Sequence, residues 1–88
     1  MVERADVVVA GGGPAGLATA IRARMEGLDV ALFDAASPPI DKACGEGLMP
    51  DGVERLVALG VELVDVERMP FQGLRYLDGD MVAEARFP

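Results

Sequence analysis

The chain has 88 residues, with eight basic against 15 acidic side chains, one cysteine and no histidine. One cysteine excludes a disulfide-stapled miniprotein, and without histidine a zinc site has little to be built from, so no metal is expected. A net charge of −7 with no basic block argues against nucleic acid and anionic membrane surfaces, and an apolar share of 51% excludes a disordered chain.

No run approaches the ~18 apolar residues of a membrane span. Glu3, Arg4 and Asp6 precede the first apolar run, which is unlike a secretory signal. The expected location is the cytoplasm, where Cys44 stays reduced.

Ala5 to Ala10 reads ADVVVA, a β-branched run without polar alternation that suits a strand buried on both faces of a parallel sheet. Gly11-Gly12-Gly13-Pro14-Ala15-Gly16 follows, with Pro14 placed for a helix start. The helix is predicted to run to about Glu26, with Leu17, Ile21, Met25 and Leu28 as its apolar stripe. Ala18 and Ala20 are small enough for close approach, and Gly27 is the stop. Arg22 and Arg24 fall on the exposed side. Val30 to Phe33 is a second strand with Asp34 at its end, completing one βαβ unit.

Residues 35–50 read as a loop broken by Pro38, Pro39, Gly45, Gly47 and Pro50. Asp51 is expected to cap a short helix over 52–59, with Val53, Leu56 and Val57 on one face and Gly60 as its stop. Residues 61–66 fit either an extended segment or a turn. Residues 74–87 read as a hairpin turning at Asp78-Gly79. The methionines are expected to pack a core, and Glu62, Asp65 and Glu67 to form a solvated acidic face.

The glycine hexamer carries the chemistry. A strand precedes it and a helix opens inside it, which is the context that gives GxGxxG meaning. Gly11 permits the tight turn, Gly13 lets a pyrophosphate approach the backbone, and Gly16 lets the helix pack on the sheet. First-turn N–H groups and the helix dipole then bind a diphosphate without a basic side chain. Asp34 lies where an acid accepts hydrogen bonds from the ribose hydroxyls, and it would repel a 2′-phosphate. NAD and FAD share the ADP half, so this pattern alone does not separate them.

The segment from Val7 to Asp34 resembles the ADP-binding start of FAD-dependent oxidoreductases of the aromatic-hydroxylase-like superfamily. Asp41 to Pro50 is similar to a loop of FAD-dependent monooxygenases and of the related geranylgeranyl reductases. The resemblance implies FAD as cofactor and NAD(P)H as reductant. It places Gly11, Gly13, Pro14, Ala15, Gly16, Asp34 and Ala35 at the ADP-binding positions. It also places Lys42, Cys44 and Gly45 on the flavin-side loop, with a solvated lysine and an inert cysteine as their bland readings. Glu46 is read as a solvated loop carboxylate, and no catalytic residue is assigned.

The implied fold is a partial three-layer, doubly wound α/β unit of Rossmann type, followed by a short helix and a β-hairpin. Residues 1–36 form the ADP-binding unit, 37–60 the flavin-side loop and helix, and 61–88 the start of a substrate-side hairpin. Two parallel strands are too few for a stable sheet. The chain is therefore expected to be the N-terminal part of a longer enzyme or to be completed by another chain or an oligomer partner. Most of the pocket for a small-molecule or lipid substrate would lie elsewhere. The expected activity is an NAD(P)H-dependent flavin monooxygenase. The alternatives are a geranylgeranyl-reductase-like enzyme acting on isoprenoid double bonds, a plain NAD-binding dehydrogenase domain, and a non-catalytic dinucleotide-binding fragment.

Overall fold

The computed structural model describes residues 4–41, 47–64 and 67–88. Strand β1 (Val7–Ala10) and strand β2 (Val30–Phe33) pair in parallel, with Val7 beside Val30 and Ala10 beside Phe33. Helix α1 (Pro14–Met25) connects them and packs on one face. This is the βαβ unit expected from the apolar runs.

Strand β1 begins two residues later than the apolar run suggests. The Asp6 carboxylate accepts the Asp29 N–H at 2.8 Å, while the Asp6 N–H donates to the Asp29 carbonyl at 2.9 Å. Asp6 thus fastens the entry of β1 to the entry of β2 by a side-chain bond. At the other end the Gly11 N–H donates to the Phe33 carbonyl at 2.7 Å, carrying the ladder into the glycine turn.

The buried side of α1 differs from the predicted stripe. Gly16, Ala18, Ala20, Ile21 and Ala23 are half-buried, whereas Leu17, Met25 and Leu28 are exposed. Of the predicted stripe only Ile21 stays on this side, and at its N-terminal end α1 comes so close to the β1 exit that Gly16 alone fits there. Arg22 and Arg24 do lie outside, paired with Glu26 and Asp29. The helix ends in a Schellman arrangement, with Gly27 N–H on the Arg24 carbonyl at 2.9 Å and Leu28 N–H on that of Ala23 at 3.1 Å.

Helix α2 spans Pro50–Ala58, so Asp51 lies inside it and is not its cap. Met49 occupies the N-cap without a side-chain bond, and the Asp51 carboxylate instead takes Arg55 Nε at 3.0 Å, one turn on. Pro50 explains the earlier start, since its missing N–H costs nothing at the first helical position. Val53 and Leu56 are half-buried, but Val57 is exposed. Gly60 ends α2 as Gly27 ends α1, with Val61 N–H on the Leu56 carbonyl at 3.0 Å. Residues 61–63 form no regular element and Val64 lies in a turn, while Asp65 and Val66 lie outside the described residues.

Strands β3 (Gly73–Asp78) and β4 (Met81–Arg86) form the antiparallel hairpin. Its two-residue loop is Gly79-Asp80, one position later than the Asp-Gly expectation. Gly79 has φ 57° and, among the described residues, no non-glycine residue has positive φ, which fits a type II′ turn with glycine first. Arg75 and Glu84 pair across the strands at 2.7 Å. At the open end, Phe71 and Phe87 meet edge to face with centroids 5.3 Å apart.

Among the described residues no hydrophobic side chain is buried, and Met25, Met49, Met69 and Met81 are all exposed, against the expectation of a methionine-packed core. Strand alternation turns Val9 toward α1 and Val8 away from it, so Val8 and Phe33 stand open on the far face of the pair. A strand run that is apolar on both faces has here only one face covered.

Candidate functional site

The site is assembled where β1 hands over to α1, and each glycine of the turn has its own reason. Gly11 has φ 110°, a conformation L side chains rarely adopt, although nothing lies within 4 Å of a Cβ placed there. Gly16 is the opposite case: a Cβ on it would stand 1.8 Å from the Gly11 carbonyl oxygen. Only glycine lets the first turn of α1 lie against the exit of β1. Gly13 is the N-cap, with φ −77° and ψ −176°, an extended conformation open to any residue.

Gly12 has no role assigned to it by the sequence pattern, yet it is the buried residue of the turn. Its N–H donates to Asp34 Oδ2 at 2.7 Å. The other carboxylate oxygen, Oδ1, accepts the Ala36 N–H at 2.8 Å, an Asx-type turn two residues on. The carboxylate is therefore held at the glycine turn from both sides of the β2 exit. A Cβ on Gly12 would meet Ile40 Cδ1 at 3.1 Å, Leu32 Cδ2 at 3.4 Å and Asp34 Oδ2 at 3.5 Å. The available signal for Gly12 was its position: it is the residue between the two signature glycines, where any side chain is formally allowed. Ile40 carried no local signal, because only the chain's return after the prolines brings it there.

Pro14 and Ala15 open α1 and are exposed. The N–H groups of Ala15 and Gly16 fall in the first turn, where no carbonyl four residues back belongs to the helix. The Leu17 N–H is the first to find one, on Gly13 at 2.9 Å. No acidic residue occupies this first turn, and Arg22 and Arg24 sit in the last one. The partial positive charge at the N-terminus is thus left for an external anion. Ala35 is exposed between the two residues of the Asx turn. The expectations for Lys42, Cys44, Gly45 and Glu46 fall outside the described residues. Among the described residues no three histidine, cysteine, aspartate or glutamate side chains cluster to hold a metal, and no helix is long and apolar enough to cross a membrane.

The donor set suits the ADP half of a dinucleotide: first-turn helix N–H groups for the diphosphate, and a fixed carboxylate for a sugar. Among the described residues, one concave surface runs along the β3–β4 ladder and another lies on the uncovered face of β1 and β2.

Comparison with known proteins agrees with this geometry. The FAD binding domain family matches residues 6–81. A menaquinone reductase from Mycolicibacterium smegmatis is 51% identical over 75 residues, covering 85% of this chain and 18% of the relative. A menaquinone reductase from Mycobacterium tuberculosis is 45% identical over 73 residues, covering 83% and 18%. A squalene epoxidase from Aspergillus fumigatus is 37% identical over 73 residues, covering 81% and 15%. The chain thus spans less than a fifth of the length of these relatives. No solved structure gives a significant match. With the family match running from the entry of β1 to the start of β4, the chain belongs to the FAD-binding domain family.

Proposed function

We propose that the chain is the ADP-binding portion of an FAD-dependent oxidoreductase that reduces an isoprenoid lipid, with NAD(P)H as the source of electrons. The observation that carries the flavin seat is the Asp34 carboxylate fixed at the glycine turn by Gly12 and Ala36. On this reading the first-turn N–H groups of Ala15 and Gly16 hold the diphosphate. Gly13 lets it come close, and Asp34 accepts from the ribose. Residues 1–36 seat the ADP half, 37–60 lie on the flavin side with Lys42, Cys44 and Gly45 in the loop, and 61–88 open the substrate side. When bound, FAD supplies the two-electron redox chemistry, and the protein supplies position and electrostatics.

The substrate class rests on similarity. Menaquinone carries a polyisoprenoid chain and squalene is built of isoprene units, so the relatives' names share one substrate chemistry. The higher identity to the menaquinone reductases favours reduction over oxygen insertion. The monooxygenase reading is retained as the second, and the likeness to a squalene epoxidase is what favours it.

The test is made on the complete translated protein loaded with FAD. Under anaerobic conditions, NAD(P)H and a menaquinone-type lipid are supplied, and the lipid is analysed by mass for gain of two hydrogens. Reduction without oxygen supports the reductase. Turnover that requires dioxygen and adds an oxygen atom to the lipid supports the second reading. A protein that binds NAD but no flavin would overturn both.

A further inference from the structure

We propose that Ile40 is a positioning residue for the nucleotide seat: its side chain closes over Gly12 and fixes the direction of the Asp34 carboxylate. The inference rests on the reading of Asp34 as the ribose acceptor. Its own support is geometric. Gly12 is buried although it sits in a surface turn, and a Cβ there would come within 3.1 Å of Ile40 Cδ1. The next atoms such a Cβ would meet are Leu32 Cδ2 at 3.4 Å and Asp34 Oδ2 at 3.5 Å. Two apolar methyl groups and the Asp34 carboxylate that accepts the Gly12 N–H at 2.7 Å thus crowd the same point beside Gly12.

The physical consequence follows from solvent competition. An amide that donates to a carboxylate at an open turn exchanges readily with water, and the carboxylate rotates. Asp34 itself stays exposed, but shielding the buried Gly12 amide from water makes the same bond stronger and the carboxylate's orientation narrower. Leu32 is fixed within β2 beside Val9 and brings a methyl to the Cβ direction of Gly12. Ile40 arrives from the loop and meets the same point from beyond the prolines. Its effect on the cofactor passes through Asp34, with no contact to the nucleotide required.

The test is a double-mutant cycle in the complete translated protein, read as the FAD dissociation constant and, in parallel, as the affinity for ADP alone. Ile40→Ala is expected to weaken both ligands by about tenfold, and Ile40→Val, which deletes the δ-methyl, by about threefold. Ile40→Leu keeps a δ-methyl and is expected to restore most of the loss. In an Asp34→Ala background, Ile40→Ala is expected to add less than about twofold, because the group it orients is gone. A merely structural Ile40 would cost the same in both backgrounds, and that additive result overturns the proposal. So does an Ile40→Ala protein that binds FAD and ADP as the parent does. If Asp34→Ala itself leaves ADP and FAD affinity unchanged, the reading of the seat fails, and the proposal with it. Should Ile40→Ala not fold, the cycle is run with Ile40→Val, where coupling of about threefold supports the proposal and its absence overturns it.

Discussion

Gly16→Ala is the sharpest perturbation of the seat. A Cβ at this position would lie 1.8 Å from the Gly11 carbonyl oxygen, where real Cβ atoms essentially never come under 3.0 Å. The clash sets a Cβ, which no rotamer moves, against a backbone oxygen, so the helix start must retreat by about 1.2 Å. An N–H to phosphate contact of about 2.9 Å would then open to about 4.1 Å, beyond hydrogen-bond range. Losing one bond to a charged group costs about 1.5–3 kcal/mol, or roughly 10- to 150-fold in affinity. The overpacking itself costs a further 1–3 kcal/mol of stability, roughly. The assay is titration of the deflavinated complete protein with FAD, followed by flavin fluorescence, with the thermal midpoint measured on the same samples. Gly13→Ala is the control: its extended backbone accepts a Cβ, so the expected cost falls on FAD affinity while the midpoint holds. Gly16→Ala binding FAD within about twofold of the parent, at an unchanged midpoint, would refute the close approach on which the seat depends.

Asp34→Asn keeps an oxygen for the Gly12 N–H but loses the charge, and it is expected to weaken FAD and ADP equally, by about tenfold in isothermal titration. Gly12→Ala crowds Ile40 Cδ1 at 3.1 Å and is expected to lower the thermal midpoint by a few degrees, roughly, with Ile40→Val in the same chain restoring it. The 88-residue chain alone buries no hydrophobic side chain among its described residues. Circular dichroism on heating is therefore expected to show a gradual loss of signal with no cooperative step.

The parts legible in the sequence are those set by contacts close along the chain. The run Val7-Val8-Val9-Ala10 needs only its own side chains to be a strand, and Gly27 and Gly60 end helices through bonds to carbonyls three and five residues back. The glycine turn was legible for the same reason, as was the separation that brings Asp34 to it. The misreadings concern competition between neighbours. Asp51 is a good cap in isolation, but Pro50 is a better first helical residue, so the helix starts earlier and Asp51 turns to Arg55. Gly79 takes the first loop position of the hairpin because a type II′ turn needs its positive φ there, which moves Asp78 back into β3. The apolar stripe of α1 misled because Leu17 and Met25 are the more hydrophobic residues, while the side that meets the turn is chosen by size. Gly12 and Ile40 stayed hidden because their pairing spans the whole βαβ unit and the prolines beyond it. This is also why the pair is informative. The signature tolerates any residue between its first two glycines, and in this structure a side chain there would have to share its space with Ile40 Cδ1 at 3.1 Å.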